Sequence, residues 1–407
     1  MQKPIHPFKQ VTMQNPLAAL FAVLTLLLAV ACSKKDKVSD SGATPSPNCA
    51  SCGEMAGLRP GEKLVTFKKK DGNTVTLIQS GNRYKLDPDV YLSDKQVAIL
   101  KGEIKTDSNA RTAGIPGFIQ LWTGRTVYYT LHSNLANPQV VLNAIAHWQA
   151  NTNLQFVQRT NQPNFIEFKN DEDACWSYIG MIGGLQVVNI GQSCSVSSAI
   201  HEIGHAIGFY HELSRRDRDY NVNINWANIH PDWHSQYQTY LERGLQGFET
   251  GSTMDFNSVM MYGSRNSSAL NTSIPVWTDK NGNEYTRSSS LSAGDIDLYN
   301  LLYNPPYVDI VEVNKRRVTT PEGRGWEWEA ELRVYSNSSA TTPVNWPHPL
   351  EISVWVHESN WDGSYYTSYQ QVWLQPGQHT APLGFGWQIN GAQGEYSYKH
   401  TAATLYK

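Results

Sequence analysis

Residues 201–212 restrict the fold of this chain more than any other stretch, because they carry His201, Glu202, His205, Gly208, His211 and Glu212. His201 and His205 are four positions apart. On a helix they stand one turn above each other on one face, the spacing two imidazoles need to share an ion. Glu202 lies between them and can reach a metal-bound water without ligating the metal, which suits a general base. Gly208 has no Cβ and can take a positive φ, ending the helix and turning the chain so that His211 reaches the same ion. Three protein ligands leave one position for water, which marks a catalytic rather than a structural zinc.

A second segment, Ser258, Val259, Met260, Met261, Tyr262 and Gly263, reads as the tight Met-containing turn that lies beneath the metal in metzincins. Together with Leu121-Trp122, with Cys175, Trp176, Ser177, Tyr178, Ile179 and Gly180, and with Arg216, Asp217, Arg218 and Asp219, these residues resemble the astacin family of metzincin zinc endopeptidases. The resemblance covers about residues 113–303. It implies one catalytic Zn2+ held by His201, His205 and His211, with Glu202 as the base and Met260 as the Met-turn residue. It implies that Tyr262 is an extra, displaceable zinc ligand that swings to steady the transition state, and that Glu212 meets the new amino terminus of the activated enzyme. A disulfide between Cys175 and Cys194 is implied as well, while the family's usual second bridge is missing, with Asn153 where one partner would stand. The implied activity is hydrolysis of peptide bonds in protein or peptide substrates by an enzyme made as a latent zymogen. The expected fold is α+β, a zincin-like two-lobed catalytic domain with a zinc cleft.

The formal net charge is −3 and no long basic or acidic block is present, which excludes nucleic acid as a partner. Lys3 and Lys9 precede an apolar run over residues 17–31, short for a membrane span and shaped like an export signal. Cys32 closes that run in a context resembling a bacterial lipobox, which implies removal of residues 1–31 and acylation of the Cys32 sulfur. Contact with a membrane is then expected only through that lipid, at the outer membrane or cell surface, with release after activation. Residues 32–60, rich in Lys, Ser, Pro and Gly, read as a flexible tether. Cys49 and Cys52 lie inside it, and their spacing suits either a local disulfide or a thiol that caps the catalytic zinc.

Residues 61–112 read as an inhibitory prosegment. Alternating residues over 64–78, centred on Asp71-Gly72, signal a β-hairpin. Leu100, Lys101, Gly102 and Glu103 resemble the family's inhibitory motif, so Glu103 is expected to ligate zinc in place of water, and activation is expected to cut near Arg111. Within the catalytic domain, residues 113–304, Asn137-Pro138 opens an amphipathic helix. Apolar stretches at 154–157, 165–168, 176–181 and 186–190 read as strands of one sheet, and Ser292 with Asp295 reads as a capping box. After Asn304, Pro305 and Pro306, residues 305–407 alternate with the two-residue period of strands and suggest a small all-β, sandwich-like domain. Strands are expected at 308–313, 326–334, 350–356, 369–374 and 396–398. Its tryptophans, Trp326, Trp328, Trp346, Trp355, Trp361, Trp373 and Trp387, read mostly as core. A different class of function, a catalytically silent zinc-containing adhesin binding glycan or matrix through this domain, is the alternative.

Overall fold

The structure is a computed structural model that describes residues 58–69, 72–104, 117–245, 247, 254–320, 323–336, 339, 341–344, 350–359, 365–375, 377–389 and 403–406. Cys32, Cys49, Cys52 and Arg111 lie outside the described residues.

The described residues open with β1 (Glu62–Lys68) and β2 (Thr74–Ser80), the hairpin expected around Gly72, whose φ of 87° explains why glycine stands there. Three further elements follow: β3 (Arg83–Asp87), β4 (Val90–Leu92) and α1 (Asp94–Leu100). Ser93 and Gln96 form a capping box at the start of α1. The catalytic part contributes β5 (Thr126–Leu131), α2 (Pro138–Asn151), β6 (Gln155–Gln158), β7 (Phe165–Lys169), β8 (Cys175–Tyr178) and β9 (Leu185–Ile190). Then come α3 (Val196–Ala206), the single turn α4 (Arg218–Asn221), the short pair β10 (Val222–Ile224) and β11 (Trp277–Asp279), and α5 (Ala293–Tyr303).

One nine-stranded sheet runs in the order β1-β2-β3-β4-β8-β9-β7-β5-β6. The strands β1–β4 therefore do not form a sheet of their own but extend the one built by β5–β9. β4 pairs in parallel with β8 through Val90 against Ser177 and Tyr91 against Tyr178. Helices α2 and α3 pack on the catalytic strands, and Trp148 of α2 is fully buried against that core, its indole N–H donating to the Ile200 carbonyl of α3 at 3.0 Å. Asn137 caps α2 as expected, its side chain accepting from the Gln139 N–H. Where the second disulfide is missing, Asn153 instead accepts a hydrogen bond from Tyr299 of α5 at 2.6 Å.

The C-terminal part forms two three-stranded sheets. One is ordered β12 (Tyr307–Thr320), β13 (Gly323–Tyr335), β16 (Thr380–Ile389); the other runs β15 (Tyr365–Leu374), β14 (Leu350–Ser359), β17 (Ala403–Tyr406). Leu332, Val334 and Ala381 from the first sheet share one apolar cluster with Ile352, Val372 and Leu374 from the second, the arrangement of a sandwich. β16, which contains Pro382, Gly384 and Gly386, was not among the expected strands; it is an edge strand, where a residue without an N–H is tolerated. The expected strand at 396–398 lies outside the described residues. So do the side chains of Trp326, Trp328, Trp346, Trp355, Trp361 and Trp387. Trp373 departs from the core expectation at 47% exposed, because β-strand alternation turns it away from the apolar face that its neighbours Val372 and Leu374 occupy.

Candidate metal centre

Helix α3 begins at Ser195, whose hydroxyl accepts from the Ser198 N–H, and every residue from Ser198 to Ala206 is buried. Its end is a Schellman motif. The Phe209 N–H donates to the Gly204 carbonyl and the Gly208 N–H to the His205 carbonyl, both at 2.9 Å, with Gly208 at a φ of 111°. The remaining carbonyls are satisfied from afar: the Trp122 indole donates to Ala206 at 2.9 Å and the Tyr303 hydroxyl to Ile207 at 2.9 Å. The Met turn passes directly beneath. A Cβ on Gly204 would lie 2.7 Å from the Met260 sulfur, so a glycine is what lets the two segments meet. Asp295 of α5 caps its own helix and also holds this turn, accepting from the Ser258 hydroxyl at 2.6 Å and the Val259 N–H at 2.9 Å.

These elements aim three imidazoles at one point. The Val259 carbonyl lies 2.8 Å from His201 Nδ1 and the Phe209 carbonyl 2.8 Å from His205 Nδ1. A carbonyl only accepts, so each Nδ1 carries the hydrogen and each Nε2 presents a lone pair. The Nε2 atoms of His201, His205 and His211 are 3.0, 3.1 and 3.3 Å apart. Three ring nitrogens converging at that separation form the arrangement that a shared cation holds together. Tetrahedral zinc with Zn–N near 2.0–2.1 Å places its ligands about 3.3 Å from one another, so the set fits that ion.

A carboxylate completes the cluster, and it is Asp89 rather than Glu103. The ligand atoms of Asp89, His201, His205 and His211 all lie within 4.8 Å of one another. Asp89 Oδ2 is 3.2 Å from His211 Nε2 and 3.7 Å from His201 Nε2. Both Asp89 oxygens are buried without a hydrogen-bond partner, a costly state for a carboxylate unless a cation faces it. Glu103 is exposed in the turn after α1, its backbone N–H tied to Ala98, so it is held out of the centre. The acidic residues sit instead in the Asp87-Pro88-Asp89 turn between β3 and β4. Lys85, fully buried, holds that turn by donating to the Pro88 carbonyl at 3.0 Å while pairing with Glu62 at 2.8 Å. Asp87 Oδ2 is 3.0 Å from His211 Nδ1, and its Oδ1 is 2.5 Å from the Arg243 guanidinium. Asp87, Asp89, Lys85 and Arg243 were missed from sequence; two aspartates flanking a proline between apolar strands were the available signal.

Residues 116–304 match the family model described as Astacin, a peptidase family. This region is an astacin-family domain. Zinc metalloproteinase nas-31 of Caenorhabditis elegans is 30% identical over 257 residues, which are 60% of this chain and 41% of that protein. Tolloid-like protein 2 of Mus musculus is 34% identical over 251 residues, 60% of this chain and 23% of that protein. The chain thus spans less than half the length of these relatives. The structure of High choriolytic enzyme 1, a hatching enzyme zinc-protease of Oryzias latipes, is 26% identical, covers 49% of this chain and 98% of its own, and has a TM-score of 0.42.

Zinc is the cofactor of the astacin family, and in this astacin domain the three imidazoles and Asp89 are grouped as such an ion requires, each group's titration being set by its neighbours. Burial acts to lower the His211 pKa, but Asp89 and Asp87 outweigh it and push it up to about 9. Burial, then the charges of the other two imidazoles, holds His205 well below its ordinary value. Glu202 is buried, one of its oxygens has no hydrogen-bond partner, and burial followed by the nearby Asp89 charge raises its pKa well above the ordinary carboxyl value. The Tyr262 hydroxyl is 2.7 Å from His211 Nδ1, the nitrogen turned away from the cluster, while Asp89 is the residue grouped with the three imidazoles. Glu212 accepts from the Asp255 N–H at 2.9 Å and pairs with Arg215 at 3.2 Å. Burial, opposed by Arg215, pushes its pKa up to about 7. Cys175 and Cys194 are joined in a disulfide that ties the start of β8 to the approach to α3.

Proposed function

We propose that this chain is a zinc-dependent endopeptidase cleaving proteins or peptides, held latent by its own prosegment. The observation that carries the reading is the convergence of three imidazoles with a carboxylate delivered from outside the family-matched region. His201, His205 and His211 would hold zinc; the bound ion supplies Lewis acidity to a water and to the scissile carbonyl. In the latent chain the Asp89 carboxylate stands where that water is needed. Once it has left, Glu202 accepts the proton of the attacking water and passes it to the leaving amine, a role suited by its raised pKa. Tyr262, once its hydroxyl is released from His211 Nδ1, donates its hydroxyl hydrogen to the oxyanion. Burial holds that phenol well above its ordinary pKa, so it remains a donor through the working pH range.

The test compares casein hydrolysis before and after limited trypsin, with and without a zinc chelator, beside Glu202→Gln. The variant is expected to bind zinc normally and to lose roughly 100- to 10,000-fold in turnover, the usual share of a general base. A rate unchanged by that substitution would sink the role of Glu202, and a rate unchanged by chelation would sink the zinc mechanism.

A further inference from the structure

The prosegment is more than a strand laid over the centre. Leu77, Leu86, Leu92 and Val97 form one apolar cluster together with Ile119 and Tyr240 of the astacin domain. The sheet continues across the junction, and the Ser177 N–H donates to the Asp89 carbonyl at 2.9 Å. On the far side, residues 239–245 close over β2. The Thr76 N–H donates to the Arg243 carbonyl at 3.1 Å, and Lys69 Nζ donates to the Gly244 carbonyl at 3.2 Å. Gly244 has a φ of 72°, and a Cβ there would lie 1.7 Å from the Thr74 carbonyl oxygen, so the two backbones are in close approach. Arg243, 3% exposed, donates to Asp87 and to the Leu86 carbonyl. Gln96 of α1 donates to the Ile179 carbonyl at 2.8 Å.

Every one of these contacts joins residues 69–104 to residues 117–304. Hydrolysis of a single bond within 105–116 adds one water, creates one carboxylate and one amine, and breaks none of them. We propose that β8 together with residues 239–245 is a docking surface for the excised prosegment, residues 58–104, which stays bound after the connection is cut and inhibits as a separate chain. Activation then has two steps, the cut and the departure or digestion of the prosegment. Arg243 is the anchor of this surface, since it grips the turn that carries Asp89. The inference rests on the zymogen reading above and deepens it.

The test uses zinc-loaded residues 33–407 with a site-specific protease recognition sequence inserted between Asn109 and Ala110. After cutting, the two pieces are expected to elute together from a sizing column without denaturant, and peptidase activity is expected to rise slowly on dilution rather than at the cut. Asp87→Ala in the same background leaves Arg243 buried and unpaired, and is expected to raise the concentration at which the pieces separate by on the order of 100-fold. Pieces that elute apart, with full activity appearing at the moment of cutting, overturn the inference and leave the protease reading intact. If the pieces elute together but the separated, zinc-loaded catalytic piece cleaves no peptide, the docking surface stands and the protease reading falls.

Discussion

The two halves of the metal centre are built by opposite means. The imidazole half comes from residues 201–211, in which a helical turn and a glycine-ended cap bring the three rings together and the Met-turn carbonyl of Val259 fixes the His201 ring. The carboxylate half comes from the turn between β3 and β4, where Asp87 lies 124 positions from the His211 it faces and arrives only because β4 adds to β8. A ligand set held by one helix and its cap is preorganised and stays when neighbours leave. One delivered by sheet pairing leaves when the pairing is undone. The difference is what the proposed latency would require: a permanent binding half and a removable blocking half.

That comparison breaks most visibly at His205. His205→Ala is expected to abolish stoichiometric zinc binding, measured by metal analysis after gel filtration, with a loss greater than the roughly 100-fold typical of an outer partner. Retention of one tightly held zinc would show that Asp89 and two imidazoles suffice, and the halves would not be distinct in the way described. Asp89→Asn acts on the other half alone. The uncut chain should keep its zinc and gain basal peptidase activity of roughly 10- to 100-fold, the worth of one charge-assisted contact. An uncut variant as silent as its parent would move latency to another residue.

A smaller effect is expected at Glu62. Burial raises its pKa, but the hydrogen bond and charge of Lys85 and the Arg59 N–H outweigh that and hold it below the ordinary 4.5. A carboxyl depressed in the folded state contributes stability that is complete above its unfolded pKa and is lost as pH falls through the lower folded value. Glu62→Gln should therefore lower the melting temperature at neutral pH by the equivalent of about 1–3 kcal/mol, with the gap to the parent closing below pH 4.5. A gap independent of pH would mean that the loss is one of packing and not of charge. The smallest effect belongs to Glu103→Gln. Exposed after α1, it should change stability by no more than about 0.5 kcal/mol and leave latency untouched, as read by melting and by casein hydrolysis of the uncut chain.

Much of the astacin domain was legible because its signals are local. The Asn137-Pro138 start of α2 and the Ser292-Asp295 box of α5 each express a cap within a few residues, as the strands of the C-terminal sandwich outside that domain express a two-residue period. Expectations went astray where the answer lay in pairing. The motif-like Leu100–Glu103 stretch drew attention to Glu103, which is exposed after the capped helix α1, whereas the carboxylate beside the imidazoles is Asp89. The second task of Asp295, holding the Met turn that orients His201, was equally silent in sequence, because it depends on α5 docking beneath α3.

By itself, the sequence determined that three imidazoles, a glutamate and a positive-φ glycine would share one helix and its end, since 3.6 residues per turn and the freedom of glycine act within a dozen residues. Which carboxylate faces those imidazoles, and where the Tyr262 hydroxyl rests, only the tertiary structure decided. Both follow from the addition of β4 to β8 and from the buried Arg243–Asp87 pair. Such contacts join segments far apart in the chain, and no short-range periodicity encodes them.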